Sequence, residues 1–346
     1  MSTAVPSKRR SHSFPTMRRA SFVARSLSAG VIAAALALAA WPASADEGGV
    51  SFWLPGQFGS LAAAPGTPGW SLPVVYYHLD ANAGATKAFQ IGGHTDLGID
   101  AKADLGILVP TYTFPKPMFG SGQLALAMTV VTGGMNVSAD LTLTGPGGNT
   151  LGVNQTDKSS GLGDLYPSAQ VRWNKGTQNC LAYLMGGIPV GDYEKGRLAN
   201  LSSNHGAIDL GGGYTYLNTK NGRELSATGG FTFNFKNPDT DYQNGVDSHL
   251  DLGLSQFLSA DAHIGAVGYV YYQLSGDTGD GAVLGDFKSK VYGAGPQVGY
   301  IFPIGGRKVY TNVKAFWEWG AEHRVEGSNF WLTFVIPLTP AAAPAE

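Results

Sequence analysis

The chain has one cysteine in 346 residues, charge on only 14% of its side chains, and no long uninterrupted apolar run. A lone cysteine excludes an internal disulfide framework and a cysteine-built zinc site. The missing apolar run excludes a membrane helix, which needs about 20 such residues. Scarce charge is paired with 49 glycines, about twice the ordinary share, which disfavours a soluble helical protein or a coiled coil. Catalytic signatures are missing too: the sequence holds no H-E-x-x-H, no G-x-S-x-G and no P-loop, so no motif points to an enzyme or a cofactor. What is present is 43% apolar and 11% aromatic residues, enough to bury a large folded structure. A β-rich chain is left.

The N-terminus has the build of an export signal. Residues 1–45 carry Lys8, Arg9, Arg10, Arg18, Arg19 and Arg25 and no acidic residue, then an apolar stretch from Leu27 to Ala40, then Ala43-Ser44-Ala45. Basic, apolar and small-residue regions in that order predict cleavage before Asp46. Met17 offers an alternative start that would give the signal a more ordinary length. Removing the six basic residues of the signal from 23 leaves 17 against 25 acidic ones, a net charge of −8. So acidic a mature chain disfavours nucleic acid as a partner.

From there on, alternation with period two dominates. Leu225, Ala227, Phe231, Phe233 and Phe235 share one face, with Glu224, Ser226, Thr228, Thr232 and Asn234 on the other. Leu250, Leu252 and Leu254 oppose Asp247, His249 and Asp251, and Val309, Val313, Trp317 and Trp319 oppose Asn312, Lys314 and Glu318. Such runs predict one-sidedly apolar strands. At ten or more residues each, they exceed the roughly five or six residues of an ordinary soluble strand and suit the crossing of a bilayer. Twelve strands are predicted, near 70–82, 96–115, 121–143, 164–175, 179–190, 207–218, 223–236, 246–258, 261–274, 288–302, 308–320 and 327–338. Their connections alternate between long polar loops and short turns, as in outer-membrane barrels. The fold class is therefore all-β: an antiparallel transmembrane β-barrel of about twelve strands, with both termini on the periplasmic side. A secreted β-sandwich also alternates, but needs neither such long strands nor this rotation of connections. The expected domains are a signal peptide at 1–45, an N-terminal segment at 46–69, the barrel at 70–338 and a disordered tail at 339–346.

The same alternation places Asp96, Asp100, Lys102, Asp104, Arg172, Asp209, Glu224, Lys236, Asp247, His249, Asp251, Asp261, His263, Lys314 and Glu318 on the lumen wall. Acids predominate among them, which disfavours a selective anion channel. A three-residue turn at 258–260 leaves His249 and His263 roughly 20 Å apart along the sheet, too far to share a metal ion, and no metal site is expected. Cys180 reads as a small packed residue in an apolar strand. The segment 46–69 breaks regular structure with Gly56, Gly59, Pro65, Gly66, Pro68 and Gly69 but carries Phe52, Trp53, Leu54, Phe58 and Leu61. It reads as a plug whose apolar side chains contact a greasy solute. Packing against the periplasmic turns is the alternative.

Several stretches carry a resemblance across nearly all of 47–338. They are Glu47-Gly48-Gly49-Val50-Ser51-Phe52-Trp53-Leu54-Pro55-Gly56-Gln57-Phe58-Gly59-Ser60-Leu61, Pro65-Gly66-Thr67-Pro68-Gly69-Trp70, Asn237-Pro238-Asp239-Thr240-Asp241-Tyr242, Gly285-Asp286-Phe287-Lys288 and Gly295-Pro296-Gln297-Val298-Gly299-Tyr300. The chain resembles the outer-membrane transporter family linked to meta-pathway phenol degradation. That resemblance implies a Gram-negative outer-membrane barrel that takes up hydrophobic or aromatic solutes and is itself no enzyme. The implied partners are those solutes, outer-membrane lipid and the barrel assembly machinery, for which Phe330–Leu338 has the form of an assembly-signal strand. A general porin for small polar solutes, and an enzyme or adhesin on a barrel scaffold, are the rival functions.

Overall fold

Twelve antiparallel strands close into one barrel in the computed structural model, which describes residues 51–83, 88–91, 94–144, 150–283 and 288–339. In chain order they are β1 (Gly69–Asn82), β2 (Ile99–Leu108), β3 (Gln123–Thr144), β4 (Thr150–Lys175), β5 (Gln178–Gly187), β6 (Ala207–Asn218), β7 (Arg223–Asn234), β8 (Val246–Phe257), β9 (Ala262–Gln273), β10 (Lys290–Ile304), β11 (Arg307–Glu322) and β12 (Glu326–Pro337). Each pairs with its sequence neighbours, and β12 pairs back onto β1 from Ser71↔Pro337 to Asn82↔Glu326, so the sheet closes on itself. Closure leaves no open edge around the barrel, which a membrane demands; only the projecting part of β4, from Thr150, pairs with β3 alone. Pro110 interrupts β2, which resumes as Thr111–Thr113 between β1 and β3. A small hairpin, Ala88–Ile91 with His94–Leu97, stands apart from the barrel sheet.

The predicted strands match in number, order and nearly in bounds, with one large exception. β4 begins at Thr150 rather than near 164, so the polar stretch expected as a loop pairs with β3 residue by residue from Thr144↔Thr150. Residues 150–163 alternate poorly, because a strand that projects beyond the bilayer has water on both faces and needs no apolar side. The connection between β11 and β12 is likewise short, 323–325, because β11 runs to Glu322. Tight turns crowd the opposite end. Gly305 and Gly306, both at positive φ (57° and 76°), supply the two left-handed residues that a two-residue hairpin turn requires. The turn between β8 and β9 holds four residues rather than three, so His249 pairs with Tyr271 and His263 with Phe257.

Burial is inside out relative to a soluble protein. Leu225, Phe231, Phe233, Leu254, Ile264, Val298, Tyr300, Trp317 and Trp319 are exposed on the outer face. Glu224, Asp209, Asp247, Asp251, His263 and Lys314 are buried on the inner one. A contiguous apolar exterior of this extent is stable only against lipid. Cys180 also faces outward and is exposed, not packed, because its position in β5 falls on the outer side of the pleat.

Candidate functional site

The lumen divides into a polar wall, made by β6–β11, and an apolar wall, made by β1, β2, β3 and β12. Residues 51–68 lie between them. On the polar side the strands bind the segment through its backbone, which a chain without regular structure leaves unsatisfied. Asp251 accepts from Gly56 N at 2.9 Å and from Phe58 N at 3.0 Å. Lys314 Nζ donates to the carbonyls of Gly56 (2.6 Å), Gln57 (3.2 Å) and Phe58 (3.3 Å). Glu224 accepts from Leu61 N (2.9 Å), and Thr215 Oγ1 from Ala63 N (3.0 Å). Gln297 donates to Ser60 Oγ at 2.6 Å, and Ser60 also meets Ser255. Gly253 completes the seat, since a Cβ there would lie 2.4 Å from Ser60 N.

Trp53, 1% exposed, is the segment's anchor. Its indole stacks on His249 with ring centroids 3.6 Å apart and packs against Phe58 and Tyr183 at 5.7 Å each. His249 Nε2 in turn lies 3.0 Å from Asp209 Oδ2, which also accepts from Thr232 Oγ1. Asp247 accepts from Asn234 at 2.8 Å. His263 sits between Ser255 and Tyr310, at 3.1 and 3.0 Å. Phe52 packs on Tyr166, at 5.4 Å.

The other wall is greasy. Val75, Tyr77 and Leu79 of β1, Ala103, Leu105 and Ile107 of β2, Val131 of β3 and Trp331 of β12 face a cavity of about 510 Å³. Phe52, Trp53, Leu54, Phe58 and Leu61 close it from the segment's side. Its size falls in the usual range for small-molecule sites, about 300–1,000 Å³. Leu198, Asn200, Leu201, Ser202 and Ser203 of the connection between β5 and β6 line its loop end; Arg172, Gln170 and Pro73 line its turn end. Glu318 lines the loop-end part, where it accepts from Tyr269 OH (2.6 Å) and Gly327 N (2.9 Å).

Three of the expected lumen residues face the other way. Asp100, Lys102 and Asp104 are exposed on the outside of β2, while Ile99, Ala101, Ala103, Leu105 and Ile107 point in. Lys102 Nζ donates to Asp80 at 2.8 Å, and Asp104 lies 2.8 Å from His78 Nδ1 and accepts from Tyr76 OH. Cross-strand register explains why the outward charges are tolerated. Lys102 pairs with Asn136, and Asn136 with Lys158, positions well above the turn end of β3 and β4. A bilayer is crossed by about nine to eleven residues of each strand, so these side chains stand in water beyond it. The Asp96 side chain lies outside the described residues, as do the export signal, residues 46–50 and 340–346. Lys236 and Asp261 fall in connections rather than on the wall: Lys236 Nζ donates to Asp241 Oδ1 at 2.6 Å in the exposed stretch between β7 and β8. That hydrogen bond holds the Asp241 carboxyl below its usual range.

The contacts of Thr215, Ser255 and Gln297 and the whole apolar wall went unread in the sequence. β2 did carry the wall's signal, its alternation, but alternation names two faces without saying which one is inside.

A family model described as "Putative MetA-pathway of phenol degradation" matches residues 84–334. The chain belongs to this family. Among solved structures, the chain is similar to the COG4313 outer membrane channel from Pseudomonas putida F1, at 16% identity and a TM-score of 0.60, over 82% of this chain and 99% of that one. The β domain of the Bordetella autotransporter BrkA matches at 9% identity and a TM-score of 0.44, over 78% and 100%. A Pseudomonas aeruginosa FadL homologue matches at 11% and 0.38, over 86% and 99%. No protein of curated function matches the sequence. For this family member the first of these likenesses supports the barrel fold, and the geometry above carries the functional argument.

Proposed function

We propose that the protein is a Gram-negative outer-membrane channel for the passive entry of hydrophobic, aromatic compounds, and that residues 46–69 form its plug. The turn end is then periplasmic and the loop end faces outward, as in barrels of this class. The observation that carries the reading is the apolar cavity beside the clamped segment. A greasy solute gains from leaving water for this wall, at about 25 cal/mol per Å² of apolar surface buried, while a sugar gains nothing there. The family's link to phenol degradation and the likeness to an outer membrane channel of Pseudomonas putida point the same way. Passage needs no chemistry: the solute binds against Phe52, Leu54, Leu105 and Ile107 and leaves toward the periplasm past Leu61 and Ala62.

Uptake of labelled toluene and of a small labelled sugar, by cells making the full protein or one lacking residues 46–69, tests this reading. Toluene entry should rise with the full protein while sugar entry stays at background, and the deletion should admit sugar. Equal entry of both solutes through the intact protein would make it a general porin. No entry of either, through a barrel shown to be assembled by heat-modifiable migration, would end the channel reading.

A further inference from the structure

The lumen's acids and its cavity do not coincide. Asp209, Glu224, Asp247 and Asp251 all lie on the polar wall, engaged with one another's neighbours or with the segment, and none of them lines the cavity. Among the described residues that do, the one carboxylate is Glu318, near the loop end, and both of its oxygens already accept hydrogen bonds. Arg324 lines the loop end beside Glu318, whereas the turn end presents a cation and no carboxylate. Arg172 stands three residues before the end of β4, with Ala62, Gln170 and Ser168 around it and Val109, Pro73 and Val335 nearby on the cavity surface. Its Nη2 donates to Gln170 Oε1 at 2.6 Å and its Nε to Ala62 O at 3.4 Å. Both partners are neutral, and among the described residues Arg172 makes no ion pair.

A guanidinium has five N–H donors in a planar fork, so two neutral partners leave most of its hydrogen-bonding capacity and all of its charge unanswered. Holding such a group partly out of water without a counter-charge is costly, and Pro73, Val109 and Val335 make the cavity surface at this end apolar. The group that answers this is a planar anion, which an arginine fork meets with two parallel hydrogen bonds.

We infer that the turn end of the cavity is a binding site for the carboxylate of an aromatic acid, with Arg172 as the residue that selects it. The ring lies along Pro73, Val109 and Val335, and the carboxylate meets the free edge of the guanidinium. The site sits at the periplasmic end, so it acts last on an entering solute, and solutes with an acidic head are held there in preference to plain hydrocarbons. This inference rests on the channel reading above and adds the head group to it.

The test is binding to the purified full-length protein in detergent, followed by titration calorimetry with benzoate, its neutral isostere benzamide, and toluene. A charge-assisted pair should favour benzoate over benzamide by about tenfold or more. Arg172→Gln should abolish that preference, and Arg172→Lys, a point charge without the fork, should restore only part of it. Heat-modifiable migration of each variant shows that its barrel is assembled. Equal affinity for benzoate and benzamide in the natural protein, or a preference that survives Arg172→Gln, overturns the inference and leaves the channel reading standing so long as toluene binds. Failure of all three compounds to bind removes the channel reading and the inference together.

Discussion

At the scale of single residues, the lumen depends on a few side chains that hold an otherwise unpaired backbone. Lys314 serves three consecutive carbonyls and Asp251 the two amides that flank the middle one. Lys314→Met leaves those carbonyls without their partner, a loss of the order of 1–3 kcal/mol per unsatisfied group. The segment should then leave its seat part of the time: conductance in planar bilayers is expected to rise and flicker, with the barrel's heat-modifiable migration unchanged. Gly253→Leu should act in the same direction by a different cause, since any side chain there collides with Ser60 N. Sugar permeation in the Gly253→Leu variant should approach that of the 46–69 deletion. These inward polar residues were legible because each stands in a strand whose other face is strongly apolar. Their partners were not, since Ser60 and Gln57 belong to a segment without periodicity and its contacts are set by a lumen that exists only after closure.

β2 shows how far an element can be read by itself. Its sequence, Ile99-Asp100-Ala101-Lys102-Ala103-Asp104-Leu105-Gly106-Ile107-Leu108, alternates as cleanly as β8, and the charged face of β8 is inside while that of β2 is outside. The difference lies in the neighbours. β1 offers His78 and Asp80 on the same outer face, and β3 and β4 extend well past the thickness of a bilayer. Outward charges on β2 therefore meet partners and water, and its apolar face is free to line the cavity. Single cysteines in a Cys180→Ser background check the parity. Asp104→Cys should react with a charged maleimide at the rate of an exposed thiol. Leu105→Cys should react slowly, and more slowly still when toluene fills the cavity. The reverse order would return β2 to the orientation expected from its alternation.

For the molecule as a whole, the barrel is closed by the seam between β12 and β1. Trp331 and Tyr77 meet across it edge to face at 4.6 Å, and Lys314 Nζ lies 4.9 Å from the Trp331 ring, so the seam and the clamp on the segment share one side chain. Truncating a buried tryptophan costs about 3–5 kcal/mol, and Trp331→Ala should lower the temperature at which the barrel loses its compact gel migration. It should also raise sugar leakage, because the same change loosens Lys314. A variant on the outer face of the same strand, Phe334→Ala, should shift the melting far less and leave leakage unchanged. A melting shift without leakage for Trp331→Ala would show that seam and clamp are independent.

Strand number, order and most boundaries follow from the sequence alone, because period-two alternation over ten or more residues is a local property that survives without any knowledge of partners. The turns are local as well, as Gly305-Gly306 illustrates. Three matters were decided only by the tertiary structure: which face of β2 lines the lumen, that 150–163 is strand, and where 51–68 runs. Each depends on what lies across from the chain, whether a neighbouring strand, water above the bilayer or the far wall of a closed barrel. The division of the lumen into a polar wall that grips backbone and an apolar wall that bounds a cavity has the same origin, since it arises only when strands distant in sequence are brought around to face each other.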